Sequence, residues 1–340
     1  MTINLTLPTS WHTCTASQLE KICLAQQQAL TSNTADQRTA WKLNCFLSLT
    51  GLEIEEDPQP DEQGERYVVV KHTIPITEER LRVGEHCSGM GRGEGLFRKE
   101  EGAPSSLFRL YLWQIHSFIK ENLAFLDTPP NIPRFPYPEW HHDGITFRGP
   151  SLYLSGWTWQ QYRLLKDYLD YYFKIEERAA NNPVSDGSPV GEKLQEAMQM
   201  VLATLYDAET DYLDETTHMP AHGYHYRPEQ STANAPHFHT FPPIRFAVIL
   251  LWWASVAMKL QKDYPKCFSS GKPNKKSKHP KPQDPTFDYA RTTATLEKYM
   301  GVNEQELQQE SYTVVLQHLQ DMIKQNEDIE RMNQRMKSKR

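Results

Sequence analysis

Residues 246–258 read FAVILLWWASVAM, the most apolar stretch of the chain, with Arg245 before it and Lys259 after it. A helix of that length reaches about 20 Å, short of the roughly 30 Å hydrocarbon layer of a bilayer. A segment apolar nearly all round is therefore expected at the centre of a protein core. Its setting, FPPIRFAVILLWWASVAMKLQKDYP (241–265), places prolines where a helix starts and Pro265 where it must stop.

Other helices are expected around it. Thr15-Ala-Ser-Gln18 fits a capping box, with Leu19, Ile22 and Cys23 facing inward. Thr34-Ala-Asp-Gln37 marks a second start, leading through Trp41, Leu43, Cys45, Phe46 and Leu49 to a stop at Gly51. SSLFRLYLWQIHSFIKENLAFL (105–126) has helical spacing. SGWTWQQYRLLKDYLDYYFKIEER (155–178) is the clearest amphipathic helix, with a Thr158–Gln161 box and Tyr162, Leu165, Leu169 and Tyr172 on one face. EKLQEAMQMVLATLYDAETDYL (192–213) follows, and Asn303-Glu-Gln-Glu306 opens a final helix that runs almost to the end.

The best strand is RYVVVKHTIPI (66–76), rich in β-branched residues and able to pair with LEIE (52–55) across the polar turn EEDPQPDEQGE. DTPPNIPRFPYPEWHHDG (127–144) holds five prolines and reads as an extended strap over a surface. SSGKPNKKSKHPKPQDP (269–285) reads as a solvated basic tether. The predicted fold is mainly α: a helical bundle with a small β-hairpin near the N-terminal third, long proline-rich and histidine-rich loops, and a C-terminal helical extension. The expected organisation is N-terminal helices with the hairpin (1–126), strap (127–150), helical core (151–265) with a histidine-rich loop (214–241), basic linker (266–288) and amphipathic C-terminal helix (289–340).

Composition limits the function classes. Eight Trp, sixteen Tyr and thirteen Phe can build a core from few positions. A formal charge of −6 argues against a dedicated nucleic-acid binder, leaving only the lysines of 272–281 as a basic patch. Five cysteines, with no C-x-x-C, read as reduced thiols of a cytoplasmic protein. The start, MTINLTLPTSW, lacks a basic stretch followed by an apolar run, so neither a secretion signal nor a membrane partner is expected.

HMPAHGYHYRPEQSTANAPHFHTF (218–241) carries five of the thirteen histidines: His218, His222, His225, His237 and His239. Neutral imidazole is a common ligand for zinc and similar ions, and close spacing lowers the entropy cost of gathering ligands. Upstream, Glu215 and His218 form E-x-x-H, with Asp211 one helical turn earlier. A metal-binding protein or metal-dependent enzyme built on Asp211, Glu215, His218, His222, His225, His237 and His239, with zinc or another transition ion as cofactor, is one expectation. Against it, H-E-x-x-H is absent and the other E-x-x-H, Glu139 to His142, falls in the strap, where helix geometry is not expected. The reading adopted is a surface excursion of Tyr, Phe and His rings with no cofactor, and the metal site is the alternative.

CSGMGRGEG (87–95) matches no phosphate-binding pattern, and His86-Cys87 are too close in sequence to act as base and nucleophile. No other nucleophile motif is present, so a non-enzymatic role is expected. Val315, Leu319, Met322, Asn326, Ile329, Asn333 and Met336 recur at alternating steps of four and three, a heptad seam whose asparagines select register and partner. These seven are the expected partner-binding residues, for self-association or for another protein.

The phrases LTLPTSWHTCTASQLEKI, WKLNCFLSLTGLEI, FLDTPPNIPRFP and RFAVILLWWASVAMKLQKDYPKCF follow one another in that order. In phrase and order they resemble a group of uncharacterised proteins encoded in prophage-like clusters of gut anaerobic bacteria. The group carries no catalytic signature. The glycine-rich stretch 84–104 and the histidine segment look like extra material beside it. The resemblance implies a prophage or mobile-element accessory, with a role in virion morphogenesis or chaperone-like tail assembly and phage structural proteins as partners. That implication comes from setting and not from a site.

Overall fold

The computed structural model describes residues 7–31, 40–72, 107–150, 152–181, 189–208, 227–268 and 285–338. The Thr34–Gln37 cap, the glycine-rich stretch with His86 and Cys87, and the lysines of 272–281 lie outside them. The protein is mainly α, with a small sheet in its N-terminal third. It divides into two compact units, Met1–Ile132 with Pro243–Trp252, and Pro133–Pro242 with Trp253–Arg340.

In the first unit, α1 (Ala16–Thr31) starts on the predicted box. The Thr15 amide donates to Gln18 Oε1 at 2.9 Å, and the Gln18 amide donates to Thr15 Oγ1 at 3.3 Å. Leu19, Ile22 and Cys23 are buried, as the helical period requires. α2 (Trp41–Thr50) packs on α1 and ends at Gly51, whose φ of 71° is the left-handed cap that glycine adopts without strain. β3 (Arg66–His72) then pairs antiparallel with β1 (Leu52–Ile54) and β2 (Gln59–Pro60).

A fourth strand corrects the sequence reading. Residues 107–111 are not helix but β4 (Leu107–Tyr111), which pairs with β3 from Tyr67–Tyr111 to Lys71–Leu107. Leu110 alternates with Arg109 and Tyr111, and that period of two lets it join Val68 and Val70 in the core. The helix there is only α3 (Leu112–Asn122).

In the second unit the proline-rich stretch is more than a strap. It carries a hairpin of β5 (Glu139–His142) and β6 (Ile145–Arg148), and it buries Phe135 and Phe147. α4 (Trp159–Asn181) packs on α5 (Pro189–Leu205). Of the Thr158–Gln161 box only one half forms: the Gln161 amide donates to Thr158 Oγ1, while the Gln161 side chain donates instead to the Thr204 carbonyl, 3.1 Å away. The predicted helix 192–213 stops at Leu205, because Tyr206 is pinned to the Tyr137 carbonyl and β7 (Asp207–Ala208) pairs with β6.

From Arg227 the histidine-rich segment forms α6 (Pro228–Asn234) and a 3₁₀ turn (Ala235–Phe238), with Phe238 and Phe241 buried in the core. Its phenylalanines there are core residues and not the surface rings expected, while His237 is half-buried and His239 exposed. α7 (Pro243–Asp263) is long and apolar enough to cross a membrane by length and composition alone. Its burial is one-sided: Phe246, Ile249, Trp252, Val256 and Leu260 are buried at steps of three and four, while Met258 is exposed.

After α8 (Pro265–Phe268) and α9 (Pro285–Met300), the expected final helix is two. α10 (Glu304–Gln309) has the predicted Asn303–Glu306 capping box. The chain then straightens at Glu310, where the Trp159 amide donates to the Glu310 carbonyl and Tyr312 N–H to the Trp157 carbonyl. Only then does α11 (Tyr312–Ser338) begin.

Candidate metal centre

The β5–β6 hairpin is written into EWHH-DG-ITFR. His142 pairs with Ile145, which leaves the two-residue loop Asp143-Gly144, with φ of 50° and 77°. Positive φ at both positions is what a type I′ turn demands, and Asp-Gly supplies it cheaply. Along β5 the side chains alternate: Glu139 and His141 are exposed, Trp140 and His142 half-buried. The inner face meets the 3₁₀ turn. Phe147 packs on Phe238 with ring centroids 5.1 Å apart, and the Trp140 indole N–H donates to the His237 carbonyl at 3.3 Å. Residues 95 positions apart in the chain are thus held side by side (His142 and His237).

Ligand atoms of His142, Asp143 and His237 all lie within 4.8 Å of one another. His142 Nδ1 stands 3.2 Å from Asp143 Oδ2, near enough for an ion pair but without hydrogen-bond alignment. That nitrogen is buried and has no hydrogen-bond partner. A buried polar atom left so is costly unless something else satisfies it. The His142 side chain is 15% exposed and the Asp143 side chain 72%, so the cluster is closed on the hairpin side and open at the aspartate. Two histidine rings meet that of His142 edge-on, His237 of the cluster with centroids 5.6 Å apart and His239 outside it at 5.2 Å. His239 Nδ1 is 2.9 Å from the Pro236 carbonyl, and the Gln195 side chain donates to the His239 carbonyl at 3.2 Å.

Of the residues expected to bind metal, His237 joins His142 and Asp143 in the cluster, while His239 is exposed and only its ring packs against His142. Asp211, Glu215, His218, His222 and His225 lie outside the described residues. His142 and Asp143 were missed as ligands. The E-x-x-H spacing of Glu139 and His142 suits a helix, but in a strand residues three apart point to opposite faces. The usable signal was Asp-Gly between alternating residues, a hairpin signature that brings His142 and Asp143 to the tip.

The heptad seam divides. Val315 is buried, Leu319 and Met322 are half-buried, and Asn326, Ile329, Asn333 and Met336 are exposed on the outer part of α11. The four described cysteines are free. Burial pushes the thiols of Cys14, Cys23 and Cys45 from 9.0 up to about 12, and that of Cys267 to about 11, so none is poised as a nucleophile. No protein-family model, curated protein or solved structure matches the chain.

Proposed function

We propose that the protein binds a metal ion at the tip of the β5–β6 hairpin through His142, Asp143 and His237. The observation that carries this reading is the buried Nδ1 of His142, without a hydrogen-bond partner and 3.2 Å from the Asp143 carboxylate, in a cluster with His237 whose ligand atoms lie within 4.8 Å of one another. Two imidazoles and one carboxylate form a donor set for first-row transition ions. The test is metal content. Tag-free protein, as purified or after titration with zinc, holds about one ion per chain, and His142→Ala or His237→Ala loses it. Elemental analysis finding no uptake by the unaltered chain ends this reading.

A second reading is supported by the resemblance drawn above and by the outer part of α11. It makes the chain a non-enzymatic, cytoplasmic interaction protein of a prophage or mobile element, in virion or tail assembly. Ile329, Met332 and Met336 are each more than half exposed, at helical spacing on that segment. Its test is truncation after Glu327. Unchanged mass by light scattering, together with unchanged co-purifying proteins, sinks it.

A further inference from the structure

We infer that Trp113 and Tyr111 form a docking surface for an extended, proline-containing, lysine-rich segment of another protein. The surface lies in the first unit, away from the hairpin histidines in sequence, and does not rest on the metal-binding reading above.

Trp113, in the first turn of α3, is 59% exposed, an unusual state for so large an apolar ring. It belongs to a row. Its ring lies at 29° to that of Tyr111 with centroids 6.5 Å apart, and Tyr111 meets Tyr67 edge-on at 6.1 Å. The sheet sets this order: Tyr67 and Tyr111 are direct partners in the β3–β4 register, and Val69 and Arg109 come next along the same face. The other face sends Val68, Val70 and Leu110 into the core. Tyr67 is buried, with the Arg109 guanidinium 4.7 Å from its ring centroid, so it supports the row from beneath. Tyr111 is half-buried, and the row comes to the surface at Tyr111 and Trp113.

Charge and shape name the occupant. The Tyr111 hydroxyl donates to Asp61 Oδ2 at 3.1 Å, which fixes the β2–β3 turn beside the rings. Asp61 also accepts from the amides of Gln63 and Glu65, so the turn is held by its own hydrogen bonds. Glu62 and Glu65 in that turn are exposed, as are Glu56 and Asp57 before β2. Among the cations of these strands, Arg109 sits on Tyr67 and Lys71 faces Glu55 at 3.7 Å, which leaves Arg66 against four exposed carboxylates. An acidic rim beside two accessible rings attracts ammonium groups and repels a phosphate backbone, so a cationic peptide is favoured over single-stranded nucleic acid. Proline-rich segments dock on aromatic-lined grooves at low entropic cost, because their extended helix is preformed. Two residues of that helix advance about 6.2 Å, close to the interval between the Trp113 and Tyr111 rings.

Fluorescence anisotropy tests this with tag-free full-length protein and a labelled peptide of alternating proline and lysine. The expected result is saturable binding that weakens as salt rises. Trp113→Ala, folded by circular dichroism, binds at least about tenfold more weakly, the loss of an aromatic anchor. Glu62→Gln combined with Glu65→Gln binds about threefold more weakly and with a shallower salt dependence. His237→Ala, in the other unit, leaves binding unchanged. The inference is overturned if Trp113→Ala binds like the unaltered protein, or if a proline–glutamate or glycine–lysine repeat binds equally well. It is also overturned if an oligothymidylate displaces the proline–lysine peptide, or if the unaltered chain does not bind that peptide. None of these results bears on metal uptake at the hairpin.

Discussion

Gly149 stands so close to the ring of Phe135 that a β-carbon there would overlap ring atoms Cδ1 and Cε1. The same glycine donates its N–H to the Pro138 carbonyl at 2.9 Å, just after the hairpin that carries His142. Glycine is required here for close approach.

Gly149→Ala therefore destabilises the protein by about 1–3 kcal/mol, the usual cost of forcing a methyl group into a packed site. Urea denaturation measures it. Combining it with Phe135→Leu recovers part of the loss, because the two positions share one contact. Strict additivity in that double-mutant cycle contradicts the steric account.

Tyr206→Phe keeps the ring packing against Phe135 and Phe238 but removes the hydroxyl that donates to the Tyr137 carbonyl at 2.7 Å. The loss is about 1 kcal/mol, the ordinary net value of one hydrogen bond. A urea midpoint indistinguishable from that of the unaltered protein counts against this bond.

The thiols answer to pH and to reagent. On a Cys87→Ser background, Ellman's reagent at pH 8 reacts slowly with the native protein and promptly in guanidinium, since the four remaining thiols are held neutral by burial. Their raised values also set a direction for stability. The folded state keeps these protons longer than the unfolded chain, so their contribution is complete below about pH 9 and is lost as pH climbs toward 12. The phenols of Tyr172 and Tyr312, pushed by burial from 10.0 to about 12, act in the same sense. Stability that rises between pH 9 and 11 refutes this.

Metal removal is the fourth measurement. An ion present at a hundred times its dissociation constant stabilises the folded state by about 2.7 kcal/mol. A chelator lowers the unfolding free energy of the unaltered protein accordingly and leaves His142→Ala unmoved. Equal responses of the two proteins place the ion elsewhere.

Much of the fold was legible in the sequence, for local reasons. The Thr15–Gln18 and Asn303–Glu306 boxes and the Gly51 stop are each decided within a few residues of backbone, and they form as read. What was lost depended on partners distant in the chain. Leu107–Tyr111 has helical spacing until β3 offers an edge, and then alternation wins. Gln161 leaves its cap because Thr204 presents a carbonyl in the core. The candidate site failed in the same way: His237 and His239 were visible as imidazoles, but their neighbours His142 and Asp143 arrive through a hairpin hidden among prolines.

The main-chain links from Trp157 and Trp159 to Tyr312 and Glu310 join stretches about 150 residues apart. During synthesis the first of these stretches leaves the ribosome long before its mate exists. At about 5–20 residues per second, the start of α4 waits on the order of ten seconds for its closing strap. Over that interval Tyr162 lacks the stacked ring of Tyr312, so a nascent chain halted before residue 312 exposes an aromatic surface that the finished protein covers.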